Sequence, residues 1–106
     1  MISENTIRQA VDRLVSAANP SQVILFGSYA RGEATEDSDL DLMVIEREVQ
    51  NAGEEMVRLH SVVGDVGVGV DVLVYSAEEA TRRSQVPGTL LYWALREGKV
   101  LYDAQS

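Results

Sequence analysis

Ile7, Ala10, Val11, Leu14, Val15 and Ala18 recur at intervals of three and four. That spacing gathers apolar side chains on one stripe of a helix. Ser3 supplies a capping hydroxyl ahead of the stripe, and Asn19-Pro20 stops it. The run at 22–26, Gln-Val-Ile-Leu-Phe, is short and almost wholly apolar, which predicts a buried strand. A short helical turn follows from Ser28 to about Gly32, then a polar, acidic loop from Glu33 to Ser38. A second strand is predicted over 39–45 and a second long helix over 50–62, with Met56, Leu59, Val62 and Val63 apolar. Gly64, Gly67 and Gly69 break that helix before a third strand at 70–75. Ser76 opens a short helix with Glu79 three residues on, the spacing of a capping box. Pro87 marks the start of a last helix that runs to Glu97 and ends at Gly98. Lys99 to Tyr102 reads as a final strand or an ordered tail. Helices alternating with strands predict an α/β fold.

Composition narrows the class. The chain has 106 residues, which favours a single domain over 1–106. It has no cysteine and one histidine, His60, so disulfide scaffolds and zinc sites are disfavoured. Formal net charge is -8, with Lys99 as the sole lysine and the arginines scattered. A polyanion would be repelled at long range, so direct nucleic-acid binding is not expected. A small triphosphate held through a metal escapes that objection, because the metal brings the positive charge. No signal-peptide pattern opens the chain, and no apolar run approaches the ~18 residues needed to span a bilayer. A cytoplasmic protein without membrane attachment is the expectation.

The chemistry lies in five residues. Side chains alternate along a strand, so Asp39 and Asp41 share one face while Leu40, Leu42 and Val44 take the other. In the third strand Val70, Val72 and Val74 share a face and Asp71 opposes them. If the two strands are neighbours, Asp71 joins Asp39 and Asp41. Three carboxylates so placed repel one another unless a cation lies between them. Magnesium takes oxygen ligands, typically a few carboxylates together with substrate phosphates. Upstream, Gly27 permits close approach of the backbone to a ligand, and Ser28 begins a helical turn whose free N–H groups favour a phosphate. An anion cradle beside a two-metal carboxylate site suits in-line displacement at phosphorus. Taken singly, each feature has a plainer reading: a Gly-Ser turn, a solvated strand end, and for Asp71 a salt bridge to an arginine. Asp71 interrupts an apolar strand, where an unpaired charge costs several kcal/mol. Their fixed order along one chain points to phosphoryl chemistry.

Gly27-Ser28, ten intervening residues and then Asp39-x-Asp41 resembles the signature of the nucleotidyltransferase superfamily that includes DNA polymerase beta. Asp71, flanked by valines, resembles its third carboxylate. The short chain and the form "GSYARGEATEDSDLDLMV" are most similar to the minimal nucleotidyltransferases. The resemblance implies a small mixed sheet with helices mainly on one face and the active site on the other. It implies transfer of a nucleoside monophosphate from a triphosphate such as ATP, with magnesium. Asp39 and Asp41 would bind metal, and Asp71 would bind the catalytic metal and orient or activate the acceptor hydroxyl. Gly27 and Ser28 would hold the triphosphate. Arg31 would touch phosphate or, slightly favoured, pair with an acid such as Asp37 and fix the loop. Relatives of this size are often antitoxins that transfer AMP to a tyrosine of a HEPN-domain partner.

Leu90, Leu91, Tyr92, Trp93, Ala94 and Leu95 make the last helix apolar most of the way round. One side packs on the sheet; the tail, a second copy in a homo-oligomer, or a partner must cover the other. Tyr92 and Trp93 suit an interface. His60 reads as a surface or packing residue, and Gly64, Gly67 and Gly69 as a flexible turn. Two competing functions remain. A small-molecule nucleotidyltransferase usually carries an extra substrate domain, for which 106 residues leave no room. A non-catalytic binding antitoxin would not need all three carboxylates and the Gly-Ser.

Overall fold

The computed structural model describes residues 1–105; Ser106, the last residue of the expected domain, lies outside the described residues. Among the described residues nine elements follow one another: α1 (Glu4–Ala18), β1 (Gln22–Phe26), α2 (Ser28–Arg31), β2 (Leu40–Glu46), α3 (Ala52–Val63), β3 (Val70–Ser76), α4 (Ala77–Arg83), α5 (Leu90–Glu97) and β4 (Lys99–Asp103). The strands form one mixed sheet in the order β3-β2-β1-β4. β1 is antiparallel to both β2 and β4, while β2 and β3 are parallel. The tail that could have been a loose end is therefore an edge strand.

Local chemistry sets most of the boundaries. The Thr6 N–H donates to Ser3 Oγ at the head of α1, and Asn19 ends it in a left-handed conformation (φ 47°). Asn51 and Ser76 cap α3 and α4 in the same way. α5 begins three residues later than Pro87. The cap is Thr89, whose Oγ1 accepts from the Tyr92 N–H, and Gly88 takes a left-handed φ of 89° that a helix cannot continue through.

β1 and β2 are the central strands and are buried on both faces. Val23, Leu25, Leu42, Val44, Val72 and Val74 pack with Ile7, Val11, Leu14, Leu59 and Val63 of α1 and α3. The opposite face carries Ile24, Phe26, Met43 and Ile45, which Ala80, Leu91 and Ala94 cover. The expected mixed sheet is present, with α1 and α3 on one face. α4 and α5 also cover part of the other, because Ile24 and Met43 could not stay open to water. Among the described residues no helix is long and apolar enough to cross a membrane.

Candidate active site

The parallel pairing of β2 and β3 decides the site. Its register sets Asp41 directly beside Asp71, and Leu40, Leu42 and Val44 beside Val70, Val72 and Val74. The apolar partners fall on the α1–α3 side, so both carboxylates fall on the other, as their alternation requires. β1 places Phe26 across from Asp41, and Gly27 follows at once. Asp39 stands one residue before β2, with its carboxylate against Gly69, the residue before β3. The Leu40 N–H donates to the Gly69 carbonyl at 2.8 Å and fixes that entry.

Two glycines make room for the acids. A side chain at Gly27 would collide with the Asp41 carboxylate, and one at Gly69 with that of Asp39. Gly27 also holds φ 74° and ψ -155°, a region almost closed to other residues. Its carbonyl accepts from the N–H groups of both Ala30 and Arg31 at 3.1 Å, so the bend feeds straight into α2. Nothing in the sequence marks the contact at Gly69, whose context reads only as a turn.

Asp41 is half-buried between two other acids. Burial pushes its carboxyl up from 3.8 to about 6; a hydrogen bond with Asp71 and the charges of Asp71 and Asp39 push the same way, and Arg31 opposes them. Like-charge repulsion among neighbouring carboxylates is thus one part of the shift, after burial. Asp71 differs from its sequence-based picture in one respect: β3 is an edge strand and Asp71 is exposed, so it carries no burial cost. The alternative of a structural ion pair also falls away. Among the described residues the arginine–carboxylate pairs are Arg31–Glu33, Arg58–Glu55 and Arg83–Glu79, and Asp71 is in none of them.

Arg31 pairs with Glu33 at 3.1 Å rather than with Asp37, and both side chains are largely exposed. Thr35 and Ser38 brace the acidic loop instead: the Thr35 N–H donates to Ser38 Oγ at 2.8 Å and the Ser38 N–H to the Thr35 carbonyl at 3.1 Å. His60 lies on α3 in a shallow groove of about 320 Å³ that Met56, Val57, Val70 and Asp71 also line. A larger cavity of about 510 Å³ lies between α1 and β4, lined by Ile7, Arg8, Val11 and Leu101, and holds none of the three acids. Chemistry, not volume, locates the site.

Do these residues fit a cation? Among the described residues no three acidic or imidazole groups converge tightly enough to enclose an ion with the side chains as they stand. The donor set is nevertheless all oxygen, Asp41 is held between two acids, and Gly27 makes room for Asp41 as Gly69 does for Asp39. An all-oxygen donor set of this kind suits a hard divalent ion such as magnesium.

Comparison with known proteins follows the same line. A nucleotidyltransferase domain model matches residues 4–101. A candidate protein adenylyltransferase of Methanocaldococcus jannaschii is 33% identical over 89 residues, covering 76% of this chain and 57% of the relative. A second from that organism is 43% identical over 47 residues, covering 42% of this chain and 47% of the relative. The chain thus spans about half the length of these curated relatives. A solved minimal nucleotidyltransferase structure is 36% identical with a TM-score of 0.60, covering 90% of this chain and 89% of that one. A toxin–antitoxin crystal structure with AMP-PNP shares the fold at 22% identity and TM-score 0.55, covering 92% and 74%. With the domain model spanning nearly the whole chain and a solved relative at 36% identity, the chain belongs to the nucleotidyltransferase domain family, among the minimal nucleotidyltransferases.

Proposed function

We propose that the protein transfers a nucleoside monophosphate, AMP from ATP, to a hydroxyl of a partner protein, and that it serves as the antitoxin of a toxin–antitoxin pair with a HEPN-type partner. The observation that carries this reading is Asp41 set beside Asp71 in register, with the Gly27 bend across from them. Support for a protein acceptor comes from relatives named as protein adenylyltransferases, and support for a toxin partner from the toxin–antitoxin neighbour. In the reaction the acceptor oxygen bonds to the α-phosphorus, the bond from that phosphorus to the bridging oxygen breaks, and pyrophosphate leaves. Magnesium, when bound through Asp39, Asp41 and Asp71, would offset the carboxylate and phosphate charges, and two ions would fit the in-line geometry. Gly27 and Ser28 cradle the triphosphate from the β1 side. Asp71, exposed on the edge strand, receives the acceptor and takes up or orients its hydroxyl proton. Arg31, beside the cradle, offsets part of the acidic charge.

Docking is assigned to α5. Leu91 and Ala94 are buried on the sheet, while Leu90 and Trp93 are 48% and 49% exposed. Arg96 stacks on the Tyr92 ring at 3.5 Å and covers it, so Trp93 rather than Tyr92 is the free anchor.

Intact-mass spectrometry tests the proposal. The purified protein, magnesium and ATP are incubated with the product of the neighbouring gene, expected to be a HEPN-type protein. The expected result is a gain of one AMP on a partner tyrosine, abolished by Asp71→Asn. A stable complex with no mass gain from any common triphosphate would favour the non-catalytic binding antitoxin. Labelling of a small hydroxyl compound and not of the protein would favour the small-molecule enzyme.

A further inference from the structure

Glu46 closes β2 at the end remote from Asp41, and its side chain turns toward α1 and α3. It is 9% exposed, and its Oε2 is buried with no hydrogen-bond partner. Its neighbour is another acid, Glu55 of α3. Arg58 grips Glu55 by both oxygens, with Nε to Oε1 at 2.7 Å and Nη2 to Oε2 at 2.8 Å. The same guanidinium reaches the Ala17 carbonyl at the end of α1 through Nη1 at 3.3 Å. One cluster thus joins the ends of β2, α3 and α1.

Two ionised carboxylates cannot hydrogen-bond each other. A proton on Glu46 removes the difficulty: the acid becomes a donor, Glu55 an acceptor, and the orphan oxygen no longer bears a buried charge. Glu55 is the partner that keeps its charge, because Arg58 occupies it in the two-pronged geometry that favours an ionised carboxylate. We propose that Glu46 and Glu55 share one proton, and that this proton latches the end of β2 to α3 and α1, loosening the junction when it is lost.

The electrostatics of the cluster agree. Burial, then the Glu55 hydrogen bond and charge, push the Glu46 carboxyl from 4.5 up to about 7, with Arg58 opposing. The Arg58 hydrogen bonds hold Glu55 down at about 2. Both charged groups acting on Glu46 come from α3. β3 sets the uncharged Ser76 beside it, α1 offers the Ala17 carbonyl to Arg58, and the β1 end is Gln22 with Ser21 before it. The sign follows. A folded-state value raised above the unfolded one means that the native protein holds the proton longer, so the latch is complete below about 4.5 and is lost as pH rises through about 7.

The direct test follows the Glu46 carboxyl by carbon-detected NMR, with hydrogen exchange of the α3 amides and melting curves from pH 5.5 to 8 in wild type and Glu46→Gln. The glutamine amide donates as the protonated acid does, without titrating. A Glu46 midpoint near 7 is expected, with α3 protection declining above it and a wild-type Tm that falls more steeply with pH than that of E46Q. Subtracting the two curves cancels every other titrating group. Should E46Q not fold, Glu55→Gln serves instead: without the neighbouring charge the Glu46 midpoint should drop. A wild-type midpoint in the ordinary carboxylate range, or parallel wild-type and E46Q curves, would overturn the latch. No readout involves nucleotide, so the outcome is independent of the proposed transfer activity.

Discussion

Replacing Asp41 by asparagine should stabilise the metal-free protein at neutral pH, although it removes a residue central to the proposed chemistry. Asp41 is raised from 3.8 to about 6 by burial and by Asp71 and Asp39. At ~1.36 kcal/mol per tenfold change in proton affinity, that displacement corresponds to about 3 kcal/mol of unfavourable interaction in the ionised state. The site is only half-buried, and solvent screening reduces the figure to roughly 1–2 kcal/mol. Asparagine is nearly isosteric, carries no charge, and its amide can donate to Asp71. The sign is set by linkage: a raised carboxyl gives stability that is whole below about pH 4 and is lost as pH climbs through about 6. Urea unfolding in chelator at several pH values measures it. D41N should exceed wild type by roughly 1–2 kcal/mol at pH 7.5, and the gap should close toward pH 4. A D41N protein less stable than wild type at pH 7.5, or a gap independent of pH, would refute the view that this site disfavours an ionised Asp41.

Gly27→Ala should lose ~1–3 kcal/mol of stability, since alanine cannot take φ 74° with ψ -155° without strain and its Cβ strikes Asp41. Nucleotide binding by calorimetry should weaken with it. Trp93→Ala should change stability by less than ~1 kcal/mol, as the side chain is half exposed, yet weaken partner binding about tenfold or more. Trp93 is the only tryptophan, so a blue shift of wild-type fluorescence on complex formation reports its burial directly.

Local periodicity carried much of the fold in readable form. The α1 stripe, the apolar run of β1 and the Asp-Leu-Asp-Leu alternation entering β2 each encode a face without reference to anything distant. The neighbours of those faces are another matter. That β3 is an edge strand, that it lies parallel to β2, and that Asp71 therefore meets Asp41 while exposed to water all depend on pairing between segments some thirty residues apart. Gly69 looked like a turn residue because a turn and a close approach both select glycine, and only the pairing shows which applies. α5 starts at Leu90 rather than at Pro87 because, although Pro87 satisfies the rule for a first helical residue, Thr89 satisfies the stronger requirement of a capping hydroxyl. Glu46 gave no signal at all. An acid at the end of a strand is ordinary until Glu55 and Arg58 arrive from another element.

Asp41 and Glu46 stand at opposite ends of one strand, five residues apart, and both resist ionisation chiefly because they are buried. Between them lie four buried apolar residues, so the two acids sit in separate environments, Asp41 half-buried and Glu46 buried. Their remedies differ. The acids beside Asp41 are oxygen donors with open space around them, which a cation can relieve. Glu46 faces an acid already saturated by Arg58, and only a proton relieves it. The metal-free protein should therefore lose stability in two overlapping steps as pH rises from about 4 to 7, and magnesium should restore the Asp41 share alone. The part of the residual slope in saturating magnesium that Glu46→Gln removes then belongs to Glu46, which separates an acid that a cation relieves from one that a proton relieves.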